Sequence, residues 1–306
     1  MFDTVRLKSE NIAISKETFT NIENLKTITY FNNETGELND TYQIKTKNIP
    51  YITYITNTRL LIIQVSIPKF LFGENVNVIK LKDINVFWDK LQQELHSLLG
   101  VEISKTEWIV QRIDICWNFY VGNKVNDYIQ FLGKKQLPYK QTYLINHSET
   151  VIYKNKSSSI MFYDKQKECK AKKQSAELIE KTFGILRMEI RPPLNSIKKY
   201  SSERQAVQIL TFEFFKLNFE KVMGDISFEE SQSQIVSCDW LEGQKINRIE
   251  TVLGFNIIRE SLGITKTKEL YGSTYYARNK WIQELHLPKE NLLPNLLIEW
   301  KELQEN

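Results

Sequence analysis

Apolar and polar residues alternate along much of the chain up to about residue 200, and this pattern predicts β-strands. Residues 2–8 alternate in this way, and the stretch from Thr27 to Ile67 is rich in Ile, Thr and Tyr, which favours several antiparallel strands. Residues 68–76 are predicted to form a loop. From Asp83 to Leu99 the period changes to that of a helix, with Asp83 as its N-cap.

Helical patterns dominate after about Tyr200, where few strand signals remain. They cover residues 203–223, 244–263, 273–286 and 293–304. A serine-rich piece at residues 227–237 is the best candidate for a linker. The pattern therefore predicts an α+β protein with a central, mainly antiparallel β-sheet and packed helices in residues 1–200, followed by a helical region in residues 201–306.

Three of the predicted strands carry polar side chains on one face. These polar faces are Arg112, Asp114, Cys116 and Asn118 on the first strand, Met161, Tyr163 and Lys165 on the second, and Arg187, Glu189 and Arg191 on the third. If the three strands are neighbours in the sheet, a phenol, two carboxylates and several cations converge on one site.

These groups are the ones that phosphodiester transesterification uses. In this hypothesis Tyr163 is the nucleophile toward a DNA phosphate, while Lys165 and the arginines stabilise the negative charge of the transition state. Asp114 and Glu189 would hold a divalent ion, Mg²⁺ or Mn²⁺, because carboxylates favour hard ions. The alternatives are that Tyr163 only packs in its strand and that the two carboxylates form structural ion pairs with neighbouring arginines.

The net charge of +4 does not by itself point to nucleic acid, but the lysines are clustered. Between Lys154 and Lys173 there are seven lysines and two acidic residues, and residues 165–183 are predicted to be helical. Such clustering favours contact with DNA phosphates, and a solvated helix face is the alternative. The candidate DNA-binding residues are Arg112, Lys154, Lys170, Lys172, Lys173, Arg187 and Arg191.

Other chemistries find little support in the sequence. It has neither a phosphate-binding P-loop nor a GxGxxG turn after a strand, and its three histidines, His96, His147 and His286, are isolated. Three scattered cysteines indicate a reducing compartment rather than a disulfide framework. Because the sequence has neither an apolar run of membrane-spanning length nor a signal peptide, we expect a cytoplasmic protein.

Several segments resemble one family in their order and spacing. They are FDTVRLKSENI, IPKFLFGENV, QRIDICWNF, TVIYKNKSSSIMFYDKQKE and LRMEIR, with LGFNIIRESLG and STYYARNKWIQEL nearer the end. Over nearly its whole length the chain resembles the phage and plasmid replication proteins of the gene II/X type, the rolling-circle initiators typified by the filamentous-phage gene II endonuclease. The YDK and RxE segments are also similar to plasmid initiators that nick DNA with a tyrosine followed by Asx-Lys.

The resemblance implies an origin-binding endonuclease that nicks one strand, stays attached through a 5′-phosphotyrosine, leaves a 3′-hydroxyl primer and later rejoins the strand. The family's nucleophile corresponds to Tyr163, its acidic positions to Asp114 and Glu189, and its basic positions to Lys165 and the three arginines named above. The implied fold is distantly like that of the HUH nucleases, whose histidine pair this chain lacks. The implied partners are duplex and single-stranded origin DNA, a host helicase and a host polymerase, with no membrane contact.

Several alternatives stay open at the level of the sequence. Tyr153, on the strand expected to pair with that of Tyr163, is the second candidate for the nucleophile. A mobilisation relaxase with the same chemistry and a non-catalytic origin-binding protein are the alternative functions. The final helices, with Arg278 and Lys280, would either read duplex DNA or support the sheet, and the oligomeric state, a dimer included, is not determined.

Overall fold

The computed structural model describes residues 1–146, 149–226 and 245–285, together with Leu293 and Leu296. Within this part of the chain a single sheet of ten strands dominates, and all its pairings are antiparallel. The strands are β1 (Phe2–Ser9), β2 (Lys26–Phe31), β3 (Leu38–Ile44), β4 (Tyr51–Ile55), β5 (Leu60–Ser66), β6 (Ile109–Tyr120), β7 (Gln141–Ile145), β8 (Thr150–Lys154), β9 (Ser159–Asp164) and β10 (Ile185–Arg191). The predicted α+β class with a central antiparallel sheet is confirmed.

The strand order is β2-β3-β4-β5-β1-β6-β10-β9-β8-β7. Two blocks of consecutive hairpins form the two edges, and β1 lies between them, paired with β5 on one side and β6 on the other. The insertion of β10 between β6 and β9 brings together the three strands that carry the polar faces. This order therefore positions the candidate site in the second half of the sheet.

Ten α-helices are defined in the described residues. They are α1 (Ile67–Phe72), α2 (Leu81–Leu99), α3 (Val125–Lys134), α4 (Lys165–Ala171), α5 (Ala176–Lys181), α6 (Leu194–Tyr200), α7 (Ala206–Ile209), α8 (Phe212–Ile226), α9 (Ile246–Tyr271) and α10 (Thr274–Leu285). Among these residues no helix is both long and apolar enough to cross a membrane.

One face of the central strands forms a core with helix α8. The rings of Phe2 and Trp117 lie 6.3 and 6.0 Å from that of Phe215, and the ring of Phe119 lies 6.0 Å from that of Phe219. From Ile113 to Phe119 the odd-numbered side chains of β6 thus lie on the core face, while Arg112, Asp114 and Asn118 point to the opposite face, as the alternation predicts.

Two local predictions for the segment that contains α1 and the start of α2 were wrong. Residues predicted to form a loop include helix α1, which has Pro68 in its first turn and ends at Gly73 in the left-handed region (φ 80°). Helix α2 begins at Leu81 rather than at Asp83. The Asp83 carboxylate accepts a hydrogen bond from the Lys80 backbone N–H at 2.7 Å, so it caps the helix from the third position.

The lysine-rich segment predicted as one helix is divided into α4 and α5. Lys173 between them adopts a left-handed backbone conformation (φ 53°), which ends α4. The Ser175 side chain then accepts a hydrogen bond from the Leu178 N–H at 3.3 Å and starts α5 as its N-cap.

The chain divides into two compact units. The first comprises Met1–Ser227 with Leu296–Asn306, and the second comprises Phe228–Asn295. The first unit therefore continues beyond the predicted boundary at residue 200 to include α8. The predicted linker at 227–237 lies outside the described residues, as does nearly all of the helix predicted at 293–304.

The second unit is helical in its described part. Helix α9 changes direction at Gly263, which has non-helical angles (φ 75°, ψ 166°), and α10 follows at Thr274. The ring of Phe255 packs against those of Tyr271 and Tyr275 at 5.0 and 5.5 Å.

Candidate active site

The three strands with polar faces are neighbours in the order β6-β10-β9, as the convergence of their side chains requires. Arg187 of β10 lies directly between Asn118 of β6 and Tyr163 of β9. Glu189 lies between Cys116 and Met161. Because directly paired residues share a face of the sheet, the phenol, the arginine and the glutamate point to the same side.

The four strands from β10 to β7 arrange the side chains of this face in rows across the sheet. The rows are a tyrosine row (Arg187, Tyr163, Thr150, Ile145), a glutamate row (Glu189, Met161, Ile152, Tyr143) and an arginine row (Arg191, Ser159, Lys154, Gln141). Successive rows are two residues apart along each strand, which is about 7 Å.

Tyr163 is the last residue but one of its strand and lines an open cleft of about 580 Å³. The strand stops because the Asp164 side chain accepts a hydrogen bond from the Lys167 N–H at 3.1 Å and begins helix α4 as its N-cap. The Tyr163 hydroxyl donates a hydrogen bond to Glu189 Oε1 at 2.7 Å. Burial, together with the adjacent Glu189 carboxylate, raises the pKa of Tyr163 well above its ordinary value, so the phenol is protonated at neutral pH.

Arg187 is a buried residue that orients Glu189. Its Nε donates to Glu189 Oε1 at 3.2 Å, and its Nη1 donates to the backbone carbonyl of Asn75 at 3.0 Å and to Asn118 Oδ1 at 3.2 Å. The side chain is fully buried, and its Nη2, which has no hydrogen-bond partner in the described structure, lies 3.7 Å from Asp3 Oδ1. Arg187 is thus fixed inside the protein rather than free to contact DNA.

Lys165 lies on helix α4 and not on the strand, which corrects the predicted polar face of β9. It is fully buried, and its Nζ donates to Asn75 Oδ1 at 3.1 Å and to Glu168 Oε2 at 2.9 Å. Its Nζ is 5.8 Å from the centre of the Tyr163 ring. In this arrangement Lys165 connects the loop after α1 to the surroundings of Tyr163.

Asp114 forms ion pairs with two arginines. Arg112 Nε and Arg191 Nε donate to Asp114 Oδ1 at 3.1 and 2.8 Å, and the Nη2 atoms of both arginines donate to Oδ2. Asp114 thus forms structural ion pairs, which is the alternative that the sequence left open. Both arginines are occupied by this carboxylate while keeping part of their surface exposed.

The carboxylates do not fit a metal site in this arrangement. Asp114 is engaged by two guanidinium groups, and Glu189 is engaged by Tyr163 and Arg187. Among the residues that the structure describes, no group of three or more His, Cys, Asp and Glu side chains is close enough to hold a metal ion. The proposed role of Asp114 and Glu189 as ligands of Mg²⁺ or Mn²⁺ stays a prediction.

The candidate DNA-binding lysines occupy different places. Lys172 lines the cleft and forms an ion pair with Glu168. Lys154 lies in the arginine row and lines a second cavity of about 350 Å³, together with Asp114, Glu189 and Arg191. Lys170 and Lys173 are exposed and do not line the cleft.

Several residues of the cleft were not among the sequence candidates. They are Asp3, Ser66, Lys69, Asn75, Glu149, Lys167 and Glu168. Asp3 accepts a hydrogen bond from Ser66 Oγ at 3.0 Å and lies where the register of β1 against β6 shifts. The alternation predicted for residues 2–8 is incomplete, because Asp3 and Thr4 are two polar residues in succession, and this break is the sequence signal for the irregular pairing.

Tyr153, the second candidate for the nucleophile, points to the opposite face. The pairing of β8 with β9 is confirmed, but Tyr153 pairs with Ile160 of the core face, while Tyr163 pairs with Thr150. The Tyr153 side chain is fully buried, and its hydroxyl donates to the backbone carbonyl of Leu132. It therefore has no access to the cleft.

Comparison with protein families gives one finding that bears on this site. Residues 17–234 match the family model that describes the N-terminal region of the phage gene II replication-associated protein. The match covers most of the chain and includes β6, β9 and β10. A search of curated proteins gives no significant match.

Proposed function

The chain belongs to the family of replication-associated proteins of the phage gene II type, and from this membership we propose that it starts rolling-circle replication by nicking one strand of its origin DNA through Tyr163. It would stay attached to the strand's 5′ end, leave a 3′-hydroxyl for a host polymerase working with a host helicase, and rejoin the displaced strand.

The observation that carries this proposal is the hydrogen bond from the Tyr163 hydroxyl to Glu189 Oε1 at 2.7 Å, on the wall of the cleft. A nucleophile next to a base that a third group orients is the usual arrangement of nucleophilic catalysis. Glu189 supplies the base and Arg187 the orienting group. The raised pKa of Tyr163 makes such a base necessary, because the phenol otherwise keeps its proton at neutral pH.

Tyr163, Glu189 and water are sufficient to account for every bond and proton in the proposed reaction. The Tyr163 oxygen attacks the scissile phosphorus while its proton passes to Glu189, and the bond from phosphorus to the 3′ oxygen breaks. The 3′ oxygen leaves and takes a proton from water, and the 5′ side remains as a phosphotyrosine. Rejoining reverses these steps: the 3′-hydroxyl gives its proton to water and attacks phosphorus, the bond from phosphorus to the Tyr163 oxygen breaks, and Tyr163 recovers its proton from Glu189.

Cationic side chains of the cleft support the binding of a phosphate. Lys69, Lys167 and Lys172 line it. Lys167 and Lys172 form ion pairs with Glu149 and Glu168 but keep 43% and 54% of their side-chain surface exposed. Cations of this kind neutralise DNA phosphates and stabilise charge that develops on the transferred phosphoryl group. We assign this role to them rather than to the buried Lys165.

A nicking assay tests the proposal. Supercoiled plasmid that carries the cognate origin is incubated with the full chain and Mg²⁺, and the products are separated by gel electrophoresis. We expect nicked and relaxed circles, with protein linked to the 5′ end. Tyr163→Phe removes only the hydroxyl, so we expect both products to disappear, while the neighbouring tyrosine variant Tyr153→Phe keeps nicking.

Two outcomes would contradict the proposal. If Tyr163→Phe nicks as fast as the unchanged protein, Tyr163 is not the nucleophile. If the unchanged protein retards origin DNA but leaves it intact with every metal tried, the protein is a non-catalytic origin-binding protein.

Metal dependence is a separate part of the proposal. We expect EDTA to stop nicking and added Mg²⁺ or Mn²⁺ to restore it. Because Asp114 is paired with two arginines, we expect Asp114→Asn to leave the Mg²⁺ concentration for half-maximal nicking unchanged. A large increase in that concentration would instead identify Asp114 as a ligand.

A further inference from the structure

The tyrosine and glutamate rows continue beyond the nucleophile to an open edge of the sheet. Their last members, Ile145 and Tyr143, lie on the edge strand β7 and keep 38% and 37% of their surface exposed. The Tyr143 hydroxyl donates to Gln141, and Lys154 Nζ lies 4.6 Å from the centre of its ring.

This edge is continuous with the candidate active site. Ile145, Thr150 and Met161 line the same cleft as Tyr163. Ile152 and Lys154 line the second cavity, and Met161 and Glu189 belong to both. A strand of DNA whose phosphate lies at Tyr163 can therefore extend over β9 and β8 toward β7.

The charge of this surface suits a nucleic acid. Lys154, Lys156 and Arg191 line the second cavity, and both carboxylates there are already paired with arginines. Apolar side chains occupy the middle of the glutamate row, between the cations of the arginine row and the nucleophile. An aromatic ring beside a lysine, with a positively charged groove, is the arrangement that binds single-stranded nucleic acids by stacking.

We propose that the edge surface formed by Tyr143, Ile145, Ile152 and Lys154 binds the single-stranded DNA that adjoins the scissile phosphate, with a base stacked near Tyr143 and a phosphate at Lys154. This inference rests on the proposed nicking function and adds to it the path that the single-stranded DNA takes over the sheet. Tyr143 lies two strands across and one row along from Tyr163, which is about 12 Å on the sheet. The unpaired bases of a single strand can reach this ring, whereas the faces of paired bases in a duplex are covered.

The test measures binding and does not require nicking. A short fluorescein-labelled oligothymidylate is titrated with the full chain carrying Tyr163→Phe, and the Kd is read from fluorescence anisotropy. In this background we expect Tyr143→Ala to weaken binding about 5- to 150-fold, the range that corresponds to one stacked base. Tyr143→Phe keeps the ring, so we expect its Kd to stay within about twofold.

Matched controls come from the opposite edge of the same sheet. Tyr30 on β2 is 58% exposed, and Tyr30→Ala is expected to bind like the parent. Lys154→Gln is expected to lower the slope of log Kd against log salt by about 0.7, the value for one phosphate contact on a single strand. Lys26→Gln, on β2, is expected to leave the slope unchanged.

Three outcomes would overturn the edge surface as a binding site: Tyr143→Ala binding like the parent, Tyr30→Ala weakening binding equally, or a duplex of the same length competing as well as the single strand. The failure of the nicking proposal is separate. If no protein–DNA adduct forms in the plasmid assay but Tyr143→Ala still weakens binding, the nicking chemistry is wrong and the binding surface stands.

Discussion

At the scale of single residues, Glu189 has a different environment from that of a metal ligand. The Tyr163 hydroxyl and Arg187 Nε share its Oε1 at 2.7 and 3.2 Å. Oε1 can receive the proton of the Tyr163 phenol, while the hydrogen bond from Arg187 restricts the rotation of the carboxylate. In the proposed reaction Glu189 is therefore the base for Tyr163.

We expect Glu189→Gln to slow nicking about 10²- to 10⁴-fold, because an amide accepts a hydrogen bond but not the proton. Binding of oligothymidylate is expected to stay within about twofold, which separates catalysis from affinity. Glu180→Gln, an exposed change on α5, serves as the control and is expected to nick normally. A Gln variant with full activity would exclude Glu189 as the base.

The pH profile of that variant gives a second readout. Burial, the larger cause of the raised pKa of Tyr163, remains in Glu189→Gln, so the pKa of the phenol stays raised in this variant. Without a base, nicking depends on the small phenolate fraction, which grows tenfold with each pH unit below the pKa. We expect log rate to rise with a slope of about one from pH 7 to 10, and a plateau in this range would contradict the raised pKa.

At the scale of elements, the site depends on the junction between β9 and α4 and on the loop after α1. Asp164 ends the strand and caps the helix, so Lys165 turns inward rather than continuing the polar face. Lys165 and Arg187 both donate to Asn75, and the Asn118 side chain donates to the carbonyl of Val76 at 2.7 Å. This loop is thereby held against the strands that position Tyr163.

We expect Lys165→Met to lower the free energy of unfolding by about 1–3 kcal/mol, because it leaves Asn75 Oδ1 and the partly buried Glu168 without this donor. Urea unfolding of the full chain measures this change. Lys170→Met, an exposed change on the same helix, is expected to stay within about 0.5 kcal/mol. Equal effects of the two variants would show that Lys165 does not hold the loop.

Alternation in the sequence was sufficient to assign the face of each polar residue on β6 and β10. Alternation was not sufficient to place Lys165, because it assigns faces only within a strand. Strand β9 ends at Asp164, which is the N-cap of helix α4. The aspartate before the helix-forming run KQKE is the sequence signal that predicts the end of the strand at this position. The pairing of Asp114 with Arg191 depends on which strands are neighbours, which the local pattern does not contain.

At the scale of the whole molecule, helix α8 belongs with the sheet although it follows the predicted boundary at residue 200. Its Phe214, Phe215 and Phe219 are buried, and the last two contact rings of the sheet's core face. A chain that ends before α8 exposes this apolar face to water.

Two truncated chains test this boundary. One ends after Tyr200 and the other after Ile226, and both lack residues 227–306, so their difference reports residues 201–226. We expect the longer chain to unfold cooperatively on heating and the shorter one to lose its near-ultraviolet circular dichroism signal, because burial of several phenylalanines is lost. Similar unfolding of the two chains would place the boundary of the sheet unit at residue 200.

The central position of β1 has a consequence for how the protein folds. Phe2–Ser9 pairs with strands that end at Ser66 and Tyr120, and Asp3 meets Arg187, which lies far later in the chain. Contacts between residues so distant in sequence make folding slow, because the ends of long loops must meet first. During synthesis β1 therefore cannot complete its pairing until β6 has been made. The candidate active site is assembled only after β10 has left the ribosome. A partly made chain thus lacks the arrangement with which we expect the finished protein to cut DNA.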